Sequence, residues 1–128
     1  FFAFATIPDK KLKEKNWKIF IENQEKYSTD YIRFGMSGFL QKNQNDILSP
    51  YIDQYFKCLI KIYKEKDLHY SSAFGNTLFP KIFEPNFILK KTEKFIRDNY
   101  DLPKLCKKVL IENCDHLKRK IPIIEKQK

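Results

Sequence analysis

Apolar side chains recur every three or four residues along most of the chain, which is the spacing of helices that bury one face. In the first such segment Leu12, Asn16 and Phe20 share one side, and lysines occupy the opposite side. The same spacing predicts further helices over residues 28–38, 50–66, 67–78, 85–98 and 101–121. We therefore predict an all-α fold of about six helices joined by short connections.

Residues that favour helix ends fit this division of the chain. Asp9 and Asp101 are expected near the starts of the first and last helices, and Ser28, Thr29 or Asp30 caps the second. Ser49 is a suitable N-cap, and Pro50 suits the first helical position because no N–H is needed there. Pro122 is expected to end the last helix. The side chains expected to face inward in the last two helices are Phe87, Ile88, Phe95, Ile96, Leu105, Val109, Leu110 and Leu117.

Short connections between helices are typical of antiparallel helical hairpins. Such hairpins can stack into an irregular α-solenoid of the HEAT or armadillo type, or they can close into a bundle. The chain has 128 residues, which predicts one helical domain over 1–128. Its 3 glycines argue against a turn-rich all-β fold.

The net charge of +9 narrows the classes of partner. Lysines are spread over the whole chain, and the arginines are Arg33, Arg97 and Arg119. Because arginine provides the bidentate contacts that readers of nucleic acids use, this pattern favours solvated helix faces, and we expect no nucleic-acid partner. No apolar run approaches the length of a membrane span, so no membrane partner is expected either. Three cysteines form no disulfide framework, which indicates a reduced, cytoplasmic setting.

Motifs for catalysis or metal binding are absent from the sequence. His69 and His116 belong to no His-Glu-x-x-His motif, and no Gly-rich phosphate loop or Gly-x-Ser-x-Gly turn occurs. Cys106, Cys114 and His116 lack a fourth ligand, and the spacing of the last two directs their side chains apart on a helix. We therefore expect no metal site, a buried Cys106 and a half-exposed Cys114.

The stretch GFLQKNQNDILSPYIDQYF, from Gly38 to Phe56, resembles a segment near the C-terminus of the aminopeptidase N family of zinc metallopeptidases. The branch in question is the one that bacterial aminopeptidase N shares with the endoplasmic-reticulum aminopeptidases. The resemblance extends to the helix containing Trp17, to the triplet LFP at 78–80, and to the terminal helix from LPKL onward. It covers nearly the whole chain, although Ile111 replaces a leucine and lysine is unusually frequent. The matching residues of the central stretch are Gly38, Phe39, Gln44, Leu48, Pro50, Tyr51, Tyr55 and Phe56.

This resemblance implies that the chain is the C-terminal fragment of a longer aminopeptidase, and the apolar start at Phe1 fits a segment cut from a longer protein. In the family, zinc polarises the scissile carbonyl and a glutamate acts as general base, both in an upstream domain. The parent would therefore be a zinc enzyme, whereas this fragment should bind no zinc and be inactive. Its implied role is to cover the catalytic domain and to limit or guide the access of peptides. Its implied partners are peptide substrates and that upstream domain.

Five residues are candidates for contact with a peptide: Arg33, Phe39, Gln44, Tyr51 and Tyr55. Other interpretations stay open, because Arg33 could form an ion pair and the two tyrosines could pack in a core. Two other functions also compete. The chain could be an α-solenoid interaction module unrelated to a peptidase, or a basic helical domain that binds nucleic acid.

Overall fold

A computed structural model describes the backbone over residues 5–22 and 27–127 and the side chains up to residue 121. Within these residues the fold is all-helical, as predicted, with six helices of 10 to 24 residues and one single turn. In chain order they are α1 (Lys10–Glu22), α2 (Thr29–Phe39), α3 (Asn45–Leu48), α4 (Pro50–Glu65), α5 (Leu68–Thr77), α6 (Pro85–Asp98) and α7 (Lys104–Gln127). The expectation about Phe1 falls outside the described residues.

Side-chain caps begin the helices at several of the predicted places. The carboxylate of Asp9 accepts the N–H of Leu12 at 3.0 Å at the start of α1. Ser28 Oγ accepts the N–H of Tyr31 at 3.2 Å before α2, and Asp67 does the same for Tyr70 at 2.8 Å before α5. Because each cap satisfies an N–H without an intrahelical partner, these boundaries are set locally.

The start of α4 confirms the prediction for Pro50 and corrects the one for Ser49. Pro50 is the first helical residue, where its missing N–H costs nothing. Ser49 has helical backbone angles and makes no side-chain cap. The reason is that α3 runs directly into α4, so that the Ser49 N–H donates to the Asn45 carbonyl at 2.8 Å.

Other predictions for α6 and α7 are wrong in register or extent. Phe87 is 53% exposed and Leu105 is 45% exposed, although both were expected inside. Asp101 lies in the turn before α7, three residues ahead of the first helical residue. The helix then continues past Pro122, which removes a backbone N–H from the helix without ending it. The buried stripe of α7 consists of Cys106, Val109, Leu110, Cys114 and Leu117, so Cys114 is buried rather than half-exposed.

The helices surround one core that is rich in aromatic residues. The most extensive contact between helices is that of α6 with α7. In addition, α2 packs on α5, and α5 packs on α4 and α7. The buried aromatic side chains are Trp17, Phe20, Phe39, Tyr55, Phe56, Tyr70, Phe74 and Phe79. The stacking of these hairpins into a longer superhelix stays a prediction.

A close approach of α5 to α4 and α7 depends on Gly75. A Cβ at this position would lie 2.8 Å from the Tyr63 hydroxyl and 3.3 Å from Val109 Cγ1. We expect Gly75→Ala to lower the free energy of unfolding by about 1–2 kcal/mol, because the side chains of Tyr63 and Val109 must move. Urea denaturation checks this, with Asn76→Ala on the exposed side as the control. Equal stability of both variants and the wild type would contradict the close packing.

Candidate functional site

The Gly38–Phe56 stretch meets α1 in a cluster of three aromatic rings. Phe39 ends α2 and its ring lies 5.1 Å from that of Tyr51 on α4. Trp17 of α1 contacts both, at ring distances of 5.6 Å to Phe39 and 5.2 Å to Tyr51. Residues from separate parts of the sequence resemblance therefore lie together in space.

Tyr55 joins α4 to α5 inside the core. Its ring stacks on Phe74 at 5.9 Å, and its hydroxyl donates to the Gly75 carbonyl at 2.7 Å. Burial raises the pKa of Tyr55 well above its usual range, so the group stays a neutral hydrogen-bond donor. This is the packing alternative for Tyr55, with the hydroxyl satisfied internally.

Gln44 lies just before α3 and contacts the segment that precedes α1. Its Nε2 donates to the Thr6 carbonyl at 2.8 Å. Its Oε1 is buried and has no hydrogen-bond partner among the described residues. An amide turned the other way would place two oxygens against each other, so the Thr6 carbonyl fixes the orientation of the side chain.

Lys13 of α1 was not among the predicted site residues. Its side chain is fully buried and, like that of Gln44, it binds the segment that precedes α1. Its Nζ donates to the Ala5 carbonyl at 2.5 Å and to the Phe39 carbonyl at 2.7 Å. It also lies 4.9 Å from the centre of the Phe39 ring. Burial lowers the pKa of Lys13 from 10.5 to about 8, because the charged form loses its hydration.

Of the five predicted site residues, Arg33 and Tyr51 have side chains that are at least partly exposed to solvent. The guanidinium of Arg33 is half exposed and lies 3.7 Å from the Asp30 carboxylate. Such a pair contributes little stability at a solvated surface. Tyr51 is half-buried, and burial followed by the charge of Glu14 raises its pKa.

The structure therefore divides the five candidates. Phe39 and Tyr55 have no exposed surface, so a peptide on the outside of this fold has no access to either side chain. Gln44 is partly buried and is already engaged with Thr6. Contact with a peptide stays a prediction. Arg33 and Tyr51 are the candidates whose side chains are accessible to one.

A cleft of about 290 Å³ lies between the end of α5 and α7. Phe79 and Leu117 form part of its lining, and the polar side chains around it include those of Lys81, Lys120, His116 and Glu112. A smaller cleft lies between α4 and α6, where Lys91 pairs with Asp53 at 2.5 Å. Both clefts are lined by charged and polar side chains that can bind polar groups.

The thiols of Cys106 and Cys114 are poorly suited to act as nucleophiles. Burial raises the pKa of Cys106 to about 12 and that of Cys114 to about 11, so both remain protonated at neutral pH. Within the described residues no group of three or more His, Cys, Asp and Glu side chains could hold a metal ion.

Comparisons with known proteins add no relative. No family model matches the chain, and no curated protein sequence matches it. Over residues 5–22 and 27–127, no helix combines the length and the apolar character that crossing a bilayer requires.

Proposed function

We propose that this chain is the C-terminal helical domain of a zinc-dependent aminopeptidase of the aminopeptidase N family. In that role it covers the catalytic domain and limits or guides the access of peptides, while the parent enzyme removes their N-terminal residues. Zinc and the general base belong to the upstream domain. This chain contributes shape and surface charge.

The observation that supports the proposal most is the packing of the family-like residues against one another. Phe39 and Tyr51 come from the central stretch of the resemblance and Trp17 from a separate helix, and their ring centres lie within 5.6 Å of one another. Leu48 and Tyr55 from the same stretch are fully buried. This packing is what the resemblance leads us to expect, because it brings the helix that contains Trp17 against the central stretch.

The full-length gene product provides the test of the enzyme. We expect it to hydrolyse aminoacyl fluorogenic substrates, to lose this activity with a chelator and to regain it with zinc. The 128-residue chain alone should be inactive under the same conditions. A full-length protein without chelator-sensitive activity would overturn the proposal, as would activity of the isolated chain.

The guiding role is tested separately with long and short substrates. In the active enzyme we expect Arg33→Gln to raise the KM for long peptides several-fold, because a cation there attracts the peptide carboxylate. The KM for a short aminoacyl substrate should stay the same. Arg97→Gln, on the exposed side of α6, is the matched control. Equal effects of Arg33→Gln on both substrates would remove the guiding role.

An interaction module is the second candidate, and an exposed aromatic face favours it. Phe34 is 62% exposed and Tyr31 is 43% exposed, and the Tyr31 ring stacks on Tyr27 at 5.1 Å. Adjacent exposed rings of this kind occur at protein interfaces. A full-length protein with no zinc motif upstream of this domain would favour this candidate over the peptidase.

A further inference from the structure

The unusual feature of α1 is a lysine on its buried face. Lysine is almost never fully buried unless it is paired with an acid, yet Lys13 is 0% exposed. Its hydrogen-bond partners are carbonyl oxygens, and none of the ion pairs among the described residues includes it. Burial of an ammonium group without a counter-ion carries a free-energy cost. We therefore expect the buried ammonium group to make a contact that the fold requires.

The two carbonyls that Lys13 binds come from distant places. The Phe39 carbonyl belongs to the last residue of α2, where a helix carries unpaired acceptors and partial negative charge. No basic residue lies in the last turn of α2 itself. Lys13 of α1 thus supplies a positive charge at the C-terminal end of α2. Its second hydrogen bond, to the Ala5 carbonyl, connects this helix end to the segment before α1.

Gln44 completes the connection from the other side. Lys13 holds the carbonyl of Ala5, and Gln44 holds the carbonyl of Thr6, the next residue along the chain. Ala5 is itself fully buried. Two consecutive carbonyls are therefore fixed by side chains from α1 and from the residue before α3.

We propose that Lys13 and Gln44 form a clasp that fixes the incoming segment Ala5–Thr6 to the end of α2 and the start of α3. We further propose that this clasp sets the position of the helical domain relative to the part of the parent chain that precedes it. The second statement rests on the proposed function, whereas the first concerns contacts within this chain alone.

The test of the clasp uses hydrogen exchange on the full-length protein. Gln44→Met keeps the size of the side chain, removes the donor to Thr6 and also removes the buried, unpaired Oε1. We expect exchange in peptides covering residues 5–12 to rise about tenfold, as loss of one hydrogen bond allows, while the core helices keep their protection. Lys13→Met should open the same segment and the end of α2.

Gln41→Ala is the control, because Gln41 lies in the same loop and its Nε2 donates to the Gly38 carbonyl near the end of α2, at 2.9 Å, rather than to the segment before α1. It should leave residues 5–12 unchanged. Exchange like the wild type in Gln44→Met would overturn the clasp. A uniform increase in every helix would overturn it too, since Gln44 would then support the fold generally.

Small-angle scattering of the same full-length variants tests the positioning. Gln44→Met should increase the maximum dimension and broaden the distance distribution, and Gln41→Ala should not. A local rise in exchange with an unchanged scattering curve would confine the clasp to this domain and overturn the second statement. Neither measurement depends on zinc or on peptidase activity, so a failure here is distinct from a failure of the proposed function.

Discussion

Replacement of Trp17 by alanine is expected to lower the free energy of unfolding by about 3–5 kcal/mol, the cost of removing a large buried aromatic side chain. The indole is 6% exposed and lies against four rings: Phe20, Phe39, Tyr51 and Phe74. Its Nε1 has no hydrogen-bond partner among the described residues, so the loss is one of packing. The cavity would open where α1, α2, α4 and α5 meet.

Urea denaturation followed by far-UV circular dichroism measures this effect without the tryptophan signal. Tyr100→Ala is the control, because Tyr100 is an aromatic residue that is 93% exposed. We expect its stability to stay within about 0.5 kcal/mol of the wild type. A Trp17→Ala variant as stable as the control would mean that the aromatic cluster does not form the centre of the core.

Helix positions were predictable where a local residue sets them. Ser28, Asp67 and Pro50 act on backbone groups within three residues, so the sequence alone indicates the starts of α2, α5 and α4. Phe87 and Leu105 were expected inside together with their apolar neighbours Ile88 and Cys106, but only Ile88 and Cys106 are buried. Which of two neighbours faces inward is decided by the partner helix, and periodicity over a short segment does not identify that partner.

The candidate site was less predictable than the fold. Family resemblance identified Phe39 and Tyr55, but only the packing shows that both are core residues. Lys13 was missed because lysines were assigned to solvent as a class. The position of Lys13 in the sequence does indicate burial. It precedes Asn16, Trp17 and Phe20 by three, four and seven residues, which places all four on one helix face. A lysine in the middle of a buried stripe predicts a specific partner.

The free energy of unfolding should depend on pH through Lys13. Below about pH 8 the lysine is charged in both the folded and the unfolded chain, and the folded state carries the full cost of burial. Above pH 8 the folded chain releases the proton, while the unfolded chain keeps it until about pH 10.5. The unfolded state then binds more protons, so the contribution of Lys13 to stability rises with pH across this window.

The lowering of the pKa from 10.5 to about 8 corresponds to a total gain of about 3 kcal/mol between neutral pH and pH above 10.5. Between pH 7 and pH 9 the wild type should gain about 1 kcal/mol relative to Lys13→Met. Buried groups such as Cys106, Tyr63 and Tyr70, whose pKa values are raised, act in the opposite direction at alkaline pH. They are present in both proteins, so their effect cancels in the difference between urea denaturation curves. A difference between wild type and Lys13→Met that is constant with pH would show that the ammonium group is solvated, and that no buried cation holds the incoming segment to α2.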